Sequence, residues 1–526
     1  MQQATRKSTV PAFFLNKVIE SYASKPSTPI SLKHMINFGN AGRNRGEKEE
    51  VDKLIKGGNF LRTELPTRLS HRLRDLQELP YAVASHPRLQ HVYDLYLEAF
   101  EGIRKHPPIT DLDANDRFCQ FMTETLDKHR VIIPEMAIGV SETSPMHLPA
   151  AALDRIMLRM LRSRISRRVI TEQHIALTQQ FRDRQRTASA NAKGKGRASS
   201  SAAVSDADAA RHVGIVDTRL NASDVVQLCQ GVMKELGGPA AQVPIVIEGH
   251  TDQTFAYISE HLEFMIFELI KGAAHATVAA HGASAAAQHP ITVTLAHNKR
   301  ELMVRVSDEG GGIAPYGGLP PDPTDLQQTL GPFLSGTGGG ASSSSSSSGG
   351  SSSLVAAPLS AQRLDIFSFS HMRRFYQHQH QHRAGGGAGP AALALDAAPA
   401  PTPPLSAGDA PRDPTATGIM ALRSVGELAG TVKEQLERHQ AQQAELADDD
   451  APTSTTAGKA ALDAQLQNGL ALDAQLRSGI GLPLARMYAE YFGGGLSIFT
   501  CQGHGSDAFL TIPRFGTEGA VPLHGV

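Results

Sequence analysis

The sequence predicts an α+β chain: an N-terminal helix bundle followed by an α/β sandwich. Three observations carry that prediction. Through residues 12–185 apolar side chains return at helical spacing, as in Leu61, Leu65, Leu69, Leu73 and Leu76. Beyond residue 213, strand-like runs at 243–248, 291–296 and 302–307 surround a helical stretch at 259–281. Two glycine motifs, Gly310-Gly311-Gly312 after Asp308 and Gly479-Ile480-Gly481-Leu482, each adjoin a regular element although they lie far apart in the chain. Flexible backbone beside a helix or strand lets main-chain N–H groups approach a phosphate.

The bundle reads as several long helices with short joints. Phe14, Val18 and Tyr22 open the pattern, and Leu89, Val92, Leu95, Tyr96, Ala99 and Ile103 form a second stripe. Ile156, Met160, Leu161, Ile165, Val169, Ile170, His174 and Leu177 form a third, long one. Pro66, Pro80, Pro87, Pro107 and Pro108 are read as helix boundaries, because proline removes a backbone donor and clashes inside a helix. His174 reads as a packed histidine.

The expected organisation is a terminal stretch 1–11, a bundle at 12–186, an Ala/Ser/Lys/Gly-rich linker at 187–212 and an α/β nucleotide domain at 213–516, with a tail at 517–526. A low-complexity insertion at 317–475 interrupts the nucleotide domain. It holds a serine run at 342–348, an Ala/Pro/Gly-rich stretch at 384–414 and a near-repeat at 461–466 and 471–476. Such composition buries too little apolar area to offset chain entropy. Two islands in it, 363–376 and 418–438, read as ordered. After the insertion come a helix at 482–492 and strands at 496–501 and 508–512, joined through Gly503-His504-Gly505.

Composition narrows the function. A net charge of −1 over 526 residues argues against a nucleic-acid binder. Cys119, Cys229 and Cys501 are scattered, with neither metal spacing nor a disulfide framework, which suits a reducing compartment. Apolar runs fall short of the roughly 20 residues of a membrane span, so no membrane insertion is expected. Arg6, Lys7 and Lys17, with no acid before Glu20, suit a mitochondrial presequence remnant or an ordinary terminus equally.

Within 259–278, Leu262, Ile266, Leu269, Ala273 and Ala276 form the stripe expected to be buried. Glu268, Gly272 and His275 fall on another face at i, i+4 and i+7. A carboxylate there faces either a ligand or solvent. Asp308 can accept a hydrogen bond from a base's exocyclic amine. The order runs from a Glu-bearing helix to Asp-x-Gly-x-Gly, a long lid, Gly-x-Gly before a helix, and Gly-Ser-Asp before a last strand. It resembles the Bergerat-type (GHKL) nucleotide-binding fold.

A narrower resemblance rests on four segments. MLRMLRSRISRRVITEQHIAL (157–177), LRTELPTRLSHRLRDLQELPY (61–81), GIGLPLARMYAEYFGGGL (479–496) and GHGSDAFL (503–510) are similar to the mitochondrial 2-oxo-acid dehydrogenase kinases, which include the pyruvate and branched-chain 2-oxo-acid dehydrogenase kinases. The resemblance implies an ATP- and Mg2+-dependent serine/threonine kinase of the mitochondrial matrix that phosphorylates and inactivates an E1α subunit. It further implies that the bundle docks the lipoyl domain of the E2 core and that two copies pair as a homodimer.

The resemblance also implies roles for residues. Glu268 would be the general base, and Asp308 would recognise adenine. Gly310 and Gly312, with Ile313 beside them, would let the chain turn beneath the base. Gly479, Ile480, Gly481 and Leu482 would wrap the phosphates. Lys271, Gly272, His275 and Ser506 would complete the ATP site, Ser506 standing where the family usually has threonine. Three positions depart from the family pattern: Gly272 replaces the Mg2+-ligating Asn, His275 an Arg, and Glu309 the Arg after the Asp. Gly272 offers no ligand oxygen, which leaves a second function in view: a catalytically weak pseudokinase that binds nucleotide and the E2 core as a scaffold. The absence of tryptophan removes the Asp-Trp tail contact of animal pyruvate-specific members.

Overall fold

A computed structural model describes residues 12–43, 46–143, 146–193, 211–312, 367–369, 481–501 and 503–514. The terminal stretch 1–11, the near-repeat, the 418–438 island, Ile313, Gly479 and Ile480 lie outside them. The bundle comprises α1 (Ala12–Ala23), α2 (Leu32–Arg43), α3 (Glu47–Gln77), the single turn α4 (Tyr81–Ala84), α5 (Pro87–Lys105), α6 (Leu112–Lys128), α7 (Ile132–Glu142) and α8 (Ala150–Lys193). All five leucines of the first stripe are buried in α3, as are Leu89, Val92, Tyr96, Ala99 and Ile103 in α5. Asp111 caps α6 by accepting the Ala114 N–H at 2.7 Å.

Pro66 corrects the expectation that it marks a boundary. It lies inside α3 and is itself buried. A proline in a helix interior costs about 3 kcal/mol. The leucine stripe runs unbroken across it, and each buried leucine contributes about 1.5–3 kcal/mol. Packing therefore carries the helix through. Glu64 and Arg68 flank Pro66 as a buried pair at 2.9 Å, and Glu64 accepts both the N–H and the hydroxyl of Thr28.

The second half contains two sheets. β1 (His212–Val213), β2 (Val216–Asn221) and β4 (Thr254–Ile258) form an antiparallel sheet in the order β1-β2-β4. β3 (Ile245–Gly249), β5 (Ile291–His297), β6 (Glu301–Asp308), β8 (Gly505–Pro513) and β7 (Gly495–Cys501) form a mixed sheet in the order β3-β5-β6-β8-β7, parallel only between β3 and β5. α9 (Ala222–Leu236), α10 (Ser259–His281) and α11 (residues 481–491) complete this half. The fold is thus a helix bundle followed by an α/β sandwich. Burial alternates along β5 and β8, as a half-covered sheet requires. The expected elements lack α9, β1, β2 and β4, and the ends of the other strands fall within a few residues of those observed.

Two glutamines on α8, seven residues apart, join the halves. Gln173 accepts the Ile215 N–H at 2.9 Å and donates to Val213 O at 3.2 Å. Gln180 accepts the Gly214 N–H and donates to Gly214 O, each at 3.1 Å. Gly214 has φ +63, and a Cβ there would collide with the Gln173 amide. This turn between β1 and β2 therefore fits its helix only as glycine.

Candidate nucleotide-binding site

α10 positions the first group of site residues. Leu262, Ile266, Leu269 and Ala273 face the core as expected, whereas Ala276 is only half-buried. Gly282, at φ 78, ends the helix by donating its N–H to Val278 O at 2.9 Å. Glu268 is 3% exposed, which removes the solvated alternative for this carboxylate. Its Oε1 lies 2.6 Å from the Lys271 Nζ one turn on, and Lys271 is equally buried. The ammonium also stands 5.1 Å from the Phe267 ring centroid. Gly272 is exposed, with open space where a Cβ would be, and His275 is half-buried.

Gly481 opens α11 directly against Glu268; a Cβ on it would overlap Glu268 Oε2. Leu482 follows, half-buried against the core. The chain thus brings Gly481 of the second glycine motif onto the helix that carries the carboxylate.

The first motif meets the same helix farther along. A Cβ on Gly310 would lie 2.5 Å from Ala276 Cβ. Ala276 is eight residues beyond Glu268, about 12 Å along the helix axis. Asp308 ends β6, and its Oδ1 accepts the Gly310 N–H at 2.8 Å. Burial raises the Asp308 carboxyl above its ordinary range, opposed by the N–H groups of Gly310 and Ser506. Ser506 is the register partner of Asp308 on β8, and its hydroxyl lies 3.3 Å from that of Thr500.

Gly311 and Gly312 adopt left-handed φ of 77 and 78, and Gly311 exchanges hydrogen bonds with His504 and Gly503. A Cβ on Gly312 would lie 2.5 Å from Cys501 O. These glycines seat the turn against the β7–β8 hairpin.

A cavity of about 850 Å3 opens there between the C-terminal end of α10, the Asp308–Gly311 turn and the hairpin. Asp308, Ser506, Cys501 and Phe499 line it, together with His281, Glu309, His504 and Asp507. The sequence reading did not single out the last group except Glu309. His504 and Asp507 lay within a segment already quoted for its resemblance, which was the available signal. At the rim His281 and His289 stack with centroids 3.6 Å apart. Glu309 ties to both: its carboxylate lies 2.6 Å from His289 Nδ1 and its carbonyl 2.8 Å from His281 Nε2. Glu309 thus points along the rim rather than replacing a cation inside the site. Glu268, Lys271, Gly272 and His275 do not line this cavity; they lie in the middle of the same helix.

The donor set fits a nucleotide. An acceptor carboxylate and a hydroxyl stand at one end, and two glycines, Gly310 and Gly481, come up against one helix where a Cβ would not fit. It does not build a Mg2+ site: Glu268 is bound to Lys271, Gly272 has no side chain, and no cluster of three His, Cys, Asp or Glu suited to a metal occurs among the described residues.

Comparison with known proteins points to one family. The sequence family described as mitochondrial branched-chain alpha-ketoacid dehydrogenase kinase matches residues 29–217. The matches support a likeness to the mitochondrial 2-oxo-acid dehydrogenase kinase family. It is 26% identical over 301 residues to the mitochondrial pyruvate dehydrogenase (acetyl-transferring) kinase 2 of Saccharomyces cerevisiae, covering 56% of this chain and 57% of that one. It is 29% identical over 309 residues to the corresponding mitochondrial kinase of Arabidopsis thaliana, covering 57% of this chain and 74% of that one. Isozyme 3 of Mus musculus is 25% identical over 321 residues, with 56% and 67% covered. The match spans little more than half the length of the yeast relative.

Proposed function

We propose that this chain is an ATP-dependent protein serine/threonine kinase that phosphorylates and inactivates the E1α subunit of a mitochondrial 2-oxo-acid dehydrogenase complex. The observation that carries this reading is that a glycine from each motif meets α10, Gly481 at Glu268 and Gly310 at Ala276. That order supports a nucleotide lying along the helix, adenine toward Asp308 and phosphates toward Gly481. Asp308 and Ser506 would hold the adenine amine. Gly310 and Gly312, with Ile313, would shape the turn beneath it. Gly479, Ile480, Gly481 and Leu482 would present N–H groups to the phosphates at the start of α11.

Glu268 would accept the proton of the substrate serine hydroxyl as that oxygen attacks the γ-phosphorus and the bond to the β-phosphate oxygen breaks. Lys271 would hold Glu268 in its rotamer, and His275 would stand beside the phosphates. Mg2+ would enter with ATP as part of the substrate, since Gly272 supplies no ligand.

The bundle at 12–186 is read as the E2 lipoyl-docking and regulatory part, the chain as a homodimer and the compartment as the mitochondrial matrix. Gly272 favours one second reading, a weak pseudokinase that binds nucleotide and E2 as a scaffold. Phosphate transfer from labelled ATP to purified pyruvate and branched-chain E1, each with its E2, with and without Mg2+, tests the two. Mg2+-dependent labelling of one E1, lost in Glu268→Gln, supports the kinase. Nucleotide and E2 binding without labelling of either E1 supports the scaffold.

A further inference from the structure

Phe367, Ser368 and Phe369 dock on a residue more than 200 positions away in the chain. The Ser368 hydroxyl donates to Asp154 Oδ2 at 2.7 Å, and the Phe369 N–H donates to Asp154 Oδ1 at 2.8 Å. Two successive residues thus use both oxygens of one carboxylate, a charge-assisted arrangement stronger than neutral hydrogen bonds. Phe369 is fully buried and Phe367 9% exposed, and both belong to the main hydrophobic core. On the other side, the Arg486 guanidinium lies over the Phe367 ring, 4.8 Å from its centroid.

Those contacts come from two different helices. Asp154 lies near the start of α8 in the bundle, and Arg486 lies on α11. Arg486 also bonds Glu490 at 2.7 Å, and Glu490 stands 3.6 Å from Arg162 of α8. The tripeptide and this ion chain therefore bracket α11 against the bundle. Gly481, at the N-terminal end of α11, rests on Glu268 five residues before Arg486, about 7.5 Å along the axis.

The geometry points to an internal docking motif: Phe367-Ser368-Phe369 is read by Asp154 and Arg486, and its seating couples the bundle to the end of α11 that meets Glu268. Each aromatic ring carries a large apolar payload, and the serine between them sets register through its hydroxyl. Seating the motif fixes Arg486, and with it the position of Gly481 relative to Glu268. The docking stands on these contacts alone; the coupling to ATP rests on the nucleotide reading proposed above. By linkage, ATP then favours the docked tripeptide as much as docking favours ATP.

Hydrogen exchange on the full chain, with and without ATP, tests this beside a fluorescent-nucleotide titration of the wild type, Asp154→Asn and Ser368→Ala. In the wild type the Phe369 amide is expected to be protected, and ATP to deepen that protection. Asp154→Asn is expected to strip the protection and to weaken ATP binding by about fivefold or more. Ser368→Ala should move both readouts the same way by less, and being outside any helix it keeps the test readable if Asp154→Asn fails to fold. An unprotected Phe369 amide in the wild type overturns the docking. Lost protection with unchanged ATP affinity overturns the coupling. A wild type that binds no ATP yet protects Phe369 sinks the nucleotide reading and the coupling together while supporting the docking.

Discussion

Gly481 rests against the Glu268 carboxylate, so the first residue of α11 and the buried acid of α10 share one small space. The atom a Cβ would strike is the far end of a side chain, which can turn aside. Gly481→Ala is therefore expected to leave thermal stability nearly unchanged while displacing Glu268 from its place beside Lys271. Loss of a positioned base lowers rates by about 10²–10⁴-fold, and partial displacement should cost at least tenfold in turnover. Melting curves beside phosphotransfer rates check this; unchanged turnover would detach Glu268 from the chemistry.

The Glu268–Lys271 pair makes a second prediction. Removing one charge of a buried pair is destabilising by about 3–5 kcal/mol, whereas replacing both by apolar groups is often neutral. Glu268→Gln should lower both stability and phosphotransfer. Glu268→Leu combined with Lys271→Met should restore most of the stability and none of the transfer. Denaturant midpoints and transfer assays on the two variants separate the residue's structural and chemical roles.

Much of this was legible in the sequence, and the exceptions have physical causes. α10 was placed at its observed bounds because its apolar period is strong and Gly282 ends it. β2 escaped notice because its buried Asp217 reads as polar, while in the fold Arg211 pairs with it at 2.6 Å. α9 was legible and missed: Asn221 caps it, and Val225, Val226, Cys229, Val232 and Met233 form its buried stripe. Pro66 misled because a local rule was applied where packing outweighs it. The 363–376 island was visible as composition, and Phe367–Phe369 are buried, but no local pattern reveals Asp154 as their partner. The contact of Gly481 with Glu268 is likewise a product of tertiary structure.

Gly272 carries the question of metal dependence. Its exposed position and the open space around its Cβ site mean that Gly272→Asn fits without rearrangement. Replacing a mid-helix glycine should also stabilise α10 by a few tenths of a kcal/mol. If the missing oxygen limits catalysis, turnover rises and the Mg2+ concentration needed for half-maximal rate falls. An unchanged Mg2+ requirement would mean that water fills the ligand position as well as asparagine does.

The three cysteines report on the cavity without any assay of catalysis. Burial pushes the Cys119 thiol up to about 11 and the Cys229 thiol higher still, so neither ionises near neutral pH. Cys501 is exposed and lines the cavity beside Gly312. Iodoacetamide at pH 8 should alkylate Cys501 first, as read by peptide mass spectrometry. ATP should slow that reaction while leaving the other two unmodified. Alkylation of Cys501 at the same rate with saturating ATP would move the nucleotide away from this cavity.

Acid stability should depend on three histidines held neutral in the fold. Burial lowers His174 to about 4 and His129 and His261 to about 3, with the Arg167 guanidinium adding to the effect at His129 and that of Arg168 at His261. His174 joins Asn115 Oδ1 through Nε2 at 2.9 Å, while its Nδ1 is buried without a hydrogen-bond partner. The unfolded chain takes up protons near pH 6.5, and the folded chain resists doing so until well below. Stability is therefore fully present above pH 6.5 and is lost as pH falls toward 4, by about 3 kcal/mol for His174 alone. Urea midpoints measured from pH 7 to 4.5 should drop more steeply in the wild type than in His174→Gln, which cannot take that proton. Parallel slopes would mean that His174 is hydrated or already protonated in the native bundle.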